Sequence, residues 1–127
     1  MANGSIRAEP VAVQSGPHME GQMATSITMQ GSSGATYEFE VHPWGTSFNS
    51  VGAVYSVLRA RVDGRYDVLY VGQTDDLNRR LSNHERQPCF DRNHKTHVGA
   101  RGESTEARRL KVERDLIDFY DPDCNRH

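Results

Sequence analysis

Glu113 is the residue whose type fits its surroundings least. Advancing about 100° per residue along 110–120 places Leu110, Val112, Leu116, Ile117, Phe119 and Tyr120 on one half of a helical wheel. Lys111, Arg114, Asp115 and Asp118 take the other half, and Glu113 falls near the centre of the apolar one. A carboxylate there must be paired, protonated or bound to a metal, because a bare buried charge is costly. An ion pair with an arginine of another helix is one reading; a catalytic or metal-binding carboxylate is the other. Arg80 and His84 stand four residues apart, so on a helix they share a face, beside Leu77 and Leu81 at the rim of the core. A guanidinium and an imidazole at the edge of a cleft, near a buried carboxylate, suit phosphate chemistry. Taken alone they suit an exposed helix face better.

These side chains need a sheet and two helices to bring them together. Tyr37, Phe39 and Val41 alternate with Glu38, Glu40 and His42, the period of a half-buried strand, which Pro43 ends. Residues 51–62 are apolar and β-branched enough for a second strand. Asp63-Gly64 is a turn signal and 66–71 a third strand, so the two form a hairpin, broken by Gly72. Tyr55 and Tyr70 lie one on each strand of that hairpin; singly, each reads as an ordinary strand residue. Asp75 or Asp76 caps a helix running to about 85, which Pro88 stops. A short strand over 96–101 follows. Ser104 then caps a long helix that Asp121-Pro122 ends. The order strand, strand, strand, helix, strand, helix implies an α+β fold with a small, mainly antiparallel sheet flanked by helices.

Residues 1–35, rich in Gly, Ser, Gln and Met, show no sustained period and read as a disordered segment, in which Gly16-Pro17-His18-Met19 looks like a cloning remnant. The folded domain is expected over 36–127.

The chain of 127 residues suits one domain. No apolar run approaches the roughly 20 residues that span a bilayer. Cys89 and Cys124, without an export signal, suggest free thiols in a reducing cytoplasm. The net charge of −2 disfavours a protein that holds nucleic acid by bulk charge alone. Arg79, Arg80, Arg86 and Arg92 nevertheless fall close together, and Arg101, Arg108, Arg109, Lys111 and Arg114 follow. Such a run more often marks a solvated face than a DNA contact.

Ala53-Val54-Tyr55 and Tyr70-Val71-Gly72 sit on paired strands, with Asp75-Asp76-Leu77-Asn78-Arg79-Arg80-Leu81 shortly after. This set resembles the signature of the GIY-YIG nucleases, a family with members in nucleotide-excision repair, phage homing and restriction. The resemblance covers about 51–125. In that family an arginine follows the second tyrosine by ten residues, matched by Arg80, and a histidine or tyrosine often comes four later, matched by His84. A glutamate lies on a later helix, matched by Glu113, and an asparagine lies just past it, matched by Asn125. Two positions depart. Ala53 stands where the family has its first glycine. Gln73 stands where it often has lysine, which removes a cation from near the phosphate.

The resemblance implies a metal-dependent endonuclease that hydrolyses phosphodiester bonds, in DNA rather than RNA. It implies a single divalent ion, Mg2+ or Mn2+, held by Glu113. Arg80 would grip a non-bridging oxygen. Tyr55 would orient or deprotonate the attacking water, Tyr70 and His84 would complete the hydrogen-bond set, and Asn125 would fix the site. A lone catalytic domain should nick, or cut as a homo-oligomer or with a recognition partner.

Two other readings compete. One is a nucleic-acid- or protein-binding module on the same scaffold with weak or no catalysis, which Ala53, Gln73 and the slight acidity favour. The other is a structural zinc held by Cys89, His94, His97 and Cys124, although their spacing lacks paired Cys-x-x-Cys.

Overall fold

The computed structural model describes residues 5–12 and 23–126, with side chains described from residue 25 onward. Six strands run β1 (Ser5–Ala12), β2 (Met23–Gln30), β3 (Thr36–Pro43), β4 (Ala53–Ala60), β5 (Arg65–Thr74) and β6 (His97–Gly102). Three helices join them: α1 (Leu77–Ser82), α2 (Gln87–Arg92) and α3 (Glu106–Tyr120), with a final 3-10 turn at Asp123–Asn125. The fold is α+β, as expected. The sheet order is β2-β3-β6-β4-β5, antiparallel at every pairing, and it curls until β1 closes it by pairing with both β2 and β5.

Alternation builds the interior. Tyr37, Phe39 and Val41 of β3 point inward, with Ile27 and Met29 of β2, Val54 and Leu58 of β4, and Val71 of β5. Helix α3 covers them with Val112, Leu116 and Tyr120, each worth about 1.5–3 kcal/mol on burial. A second cluster, with Phe48, Ala53, Tyr55 and Leu77, lies under α1. A third joins Val57, Leu69, Phe90 and Cys124.

Several expectations need correction. Order begins before Thr36, because β2 places Ile27 and Met29 in the core. The turn after β2 is clasped by α3: Asp115 accepts hydrogen bonds from the Ser33 N–H (2.8 Å), the Ser33 hydroxyl (2.7 Å) and the Tyr37 hydroxyl (2.7 Å). Gly31 has no room for a Cβ, which would run into that carboxylate. Gly16-Pro17-His18-Met19 lies outside the described residues.

Gly72 does not break β5, which continues to Thr74. Helix α1 ends at Ser82, and Pro88 sits in the first turn of a separate helix, where its missing N–H costs nothing. Thr105, not Ser104, caps α3, its side chain accepting from the Arg108 N–H. The thiols are not free: Cys89 and Cys124 form a disulfide. That removes the premise for a reducing cytoplasm, and it removes both thiolates from the zinc reading. Among the described residues no group of three or more His, Cys, Asp or Glu could hold a metal ion. No helix of the described residues is long and apolar enough to cross a membrane.

Candidate active site

The hairpin brings the two tyrosines together. Tyr55 pairs with Gly72 and Val57 with Tyr70 across β4 and β5. The register shifts between Val57 and Leu58, so Leu69 is an extra residue opposite that junction. This bulge re-aims the strand. Val68 packs in the α3-side cluster, whereas both Leu69 and Tyr70 face the α2 side, where strict alternation would have returned Tyr70 to α3. The Tyr55 and Tyr70 rings lie 6.1 Å apart. Gly72 is needed beneath them, since a Cβ there would come within 2.6 Å of the Tyr55 hydroxyl and 2.8 Å of the Tyr70 ring.

Helix α1 delivers the arginine. The Asp76 side chain caps it by accepting from the Arg79 N–H at 3.1 Å, and buried Leu77 pins its first turn. Arg80 then donates from Nε to the Tyr55 oxygen at 3.3 Å. His84 was expected on the same helix face but lies beyond the helix end. It still reaches the same oxygen, with Nε2 at 2.7 Å. Its ring is enclosed by Phe90 (4.8 Å), Tyr70 (5.0 Å) and Tyr55 (5.8 Å).

The direction of the His84 bond follows from its other nitrogen. Nδ1 accepts the Arg86 backbone N–H at 3.0 Å, so it carries no proton. Burial first, then the Arg80 charge, lower the His84 pKa to about 4, so at neutral pH the ring holds its one proton on Nε2 and donates it to Tyr55. The Tyr55 oxygen thus receives two N–H donors, and the Tyr70 ring lies beside it. Tyr55 is wholly enclosed, at 0% exposure, whereas Tyr70 is partly open. Burial, opposed by Arg80, raises both phenols above their ordinary value.

Glu113 and Asn125 meet β5 on its other edge. β1 covers that edge only at Arg65–Asp67, leaving the backbone beyond it without a strand partner. The Asn125 side chain fills the gap: Oδ1 accepts the Val71 N–H at 2.8 Å and Nδ2 donates to the Val71 carbonyl at 2.9 Å. Two residues along, the Glu113 carboxylate accepts the backbone N–H of Gln73. Two of the expected site residues therefore complete a sheet edge. Asn125 spends one donor and one acceptor site on the Val71 peptide group, and the Glu113 carboxylate keeps acceptor capacity.

Glu113 is half-buried rather than central to the apolar face. The buried stripe is Arg109, Val112, Leu116 and Tyr120, and Leu110 is 47% exposed, so the wheel is turned by about one residue. The pairing with an arginine of the other helix, one of the two readings, is not made among the described residues: Arg80 faces Glu85 at 3.5 Å. Burial raises the Glu113 pKa, opposed by Arg114 and the Gln73 N–H, and the Glu113 charge is felt by the Tyr70 phenol. A half-buried carboxyl of this kind, without an ion-pair partner among the described residues, fits a single hard cation completed by water and phosphate oxygens.

Gln73 and Arg80 line one cleft with Thr74, Asp75, Glu106 and Arg109. In the sequence Arg109 is one of a run of basic residues. Its spacing of four from Glu113 is the available signal that both share a face of α3. Phe90, which backs His84, escapes a sequence reading in which Pro88 stops one helix rather than starting another.

Compared with family models, curated proteins and solved structures, the chain matches none.

Proposed function

We propose that this protein is a metal-dependent endonuclease that hydrolyses phosphodiester bonds in DNA through an active site of the GIY-YIG kind. The observation that carries the reading is the Tyr55 oxygen, which receives N–H donors from both His84 and Arg80. Two donors on one enclosed phenol make sense when that phenol, or the one it hydrogen-bonds, must hold negative charge.

Tyr55 and Tyr70 act as a proton-handling pair. The active form lacks one proton, and His84 and Arg80 stabilise the resulting anion. Tyr70, partly open, orients the attacking water, whose proton passes to the pair as the new phosphorus–oxygen bond forms and the old one breaks. Arg80 also offers its remaining N–H groups to a non-bridging phosphate oxygen. Glu113 would hold one Mg2+ or Mn2+, which when bound would supply charge stabilisation to the phosphate and the leaving oxygen. Asn125 positions β5 and touches no substrate.

Complete enclosure of Tyr55 favours the second reading, a binding module without chemistry. A supercoiled-plasmid assay with Mg2+ or Mn2+, an EDTA control and Glu113→Gln separates the two. The nuclease reading expects metal-dependent nicking that the variant lacks. Plasmid binding with no nicking in either metal would leave the binding module.

A further inference from the structure

Arg109 is an arginine of unusual standing: it is 6% exposed, yet every acceptor it meets is neutral. Nε donates to the Gln73 side-chain oxygen at 3.0 Å, and Nη1 donates to the backbone carbonyls of Glu103 at 3.1 Å and Ser104 at 3.0 Å. Among the described residues no carboxylate forms an ion pair with it. A buried charge left unpaired is costly, and a substitute anion offsets that cost.

The third nitrogen shows where such an anion would sit. Nη2 has no protein partner among the described residues, and Arg109 lines a cleft with Arg80 and Gln73. Two exposed carboxylates, Asp75 and Glu106, also line it, and Asp75 faces Arg79 at 3.5 Å. The scaffold also reserves space for the guanidinium: a Cβ on Gly52 would come within 2.5 Å of Nη1 and 2.8 Å of the Glu103 carbonyl. Three hydrogen bonds and a close-packed glycine hold it still, so its ordering cost is met before any ligand arrives.

We infer that Arg109 is a second phosphate-binding residue, which presents Nη2 to the DNA backbone in the cleft it shares with Arg80. The inference rests on the nuclease reading and deepens it by assigning a backbone contact outside the Tyr55 cluster. Gln73 then serves as an uncharged acceptor that orients Arg109 without neutralising it.

The test is the salt dependence of binding, which a merely structural arginine would not set. The full chain is titrated against a short fluorescein-labelled duplex in EDTA, from low to physiological salt. Arg109→Gln should weaken binding about tenfold, and the slope of log K against log salt should fall by about 0.9, one phosphate contact. Gln73→Lys added to Arg109→Gln should restore the slope, because its ammonium enters the space beside the lost Nε. If Arg109→Gln does not fold, Gln73→Glu replaces it: the hydrogen bond to Nε is kept while the charge is paired, and the slope should again fall. An unchanged slope in a folded variant, with the native chain binding and nicking normally, overturns this inference alone. A native chain with no salt-dependent duplex binding overturns it together with the nuclease reading.

Discussion

His84 donates to Tyr55, across 2.7 Å, because the Arg86 backbone N–H occupies the other imidazole nitrogen. The histidine is thereby excluded as a base toward the phenol. It is a fixed donor that favours the phenolate, and Arg80 reinforces it from Nε at 3.3 Å. The hydrogen bonds of His84 and Arg80 thus converge on one oxygen atom.

Tyr55→Phe removes that oxygen and keeps the ring that fills the space above Gly72. Cleavage should fall at least about a hundredfold, the scale of one lost acid–base group. Stability should fall by about 1–3 kcal/mol, since His84 Nε2 would be left without its acceptor. Plasmid nicking and urea unfolding measure the two effects; full activity in a folded variant would remove Tyr55 from the mechanism.

The dependence of cleavage on pH follows from the raised phenols. Burial places Tyr55 and Tyr70 above their ordinary value, so the deprotonated pair grows steadily through neutral and mildly alkaline pH. Cleavage should rise about tenfold per pH unit with no plateau below about 9, given a free phenol near 10. A plateau close to neutrality would assign the base to another group.

Stability should depend on pH through His84 in the opposite half of the scale. The folded-state value is about 4, lowered by burial and then by Arg80. The unfolded value is near 6.5, so between the two the unfolded chain binds more of the proton, and stability is lost as pH falls through that window. The loss is on the order of 3 kcal/mol. Urea midpoints at pH 7 and pH 4 measure it, with His84→Gln as the comparison; the same decline in the variant would place its origin elsewhere.

The Cys89–Cys124 bond spans 35 residues and ties α2 to the turn that carries Asn125. Chain-entropy reasoning gives it about 4 kcal/mol. The reduced protein, or the Cys89→Ser, Cys124→Ser double variant, should unfold at correspondingly lower urea. Cleavage should fall as well, because Phe90 and Asn125 back His84 and Val71 from those two segments. Equal stability with and without reductant would show that the site does not depend on the bond.

Local signals in the chain were enough for the hairpin. Gly64 takes a φ of +86° at the turn, where a glycine bears no penalty, and the alternation of Tyr37, Phe39 and Val41 reappears as buried positions of β3. The Asp76 cap and the end of α3, where Asp121 adopts a left-handed conformation before Pro122, were equally legible. Each rests on a few neighbouring residues, and so does the helical spacing that singled out Glu113 and Arg80.

Other features depend on partners far along the chain. β2 carries too weak a period to stand out, and it is ordered by β3 and by Asp115 of α3. The bulge at Leu69 that turns Tyr70 toward Tyr55 is a matter of register between two strands, invisible in either alone. The disulfide required knowing that residues 35 apart meet. Arg109 looked like one more surface cation until the loop carbonyls of Glu103 and Ser104 closed around it. The sequence by itself determined which residues could form strands, helices and turns, because those preferences are set by backbone sterics and local side-chain chemistry. Contacts between distant segments settle which charges are buried, which nitrogen of His84 carries the proton and which side chains complete the edge of β5, because burial and hydrogen-bond direction arise only once those segments meet.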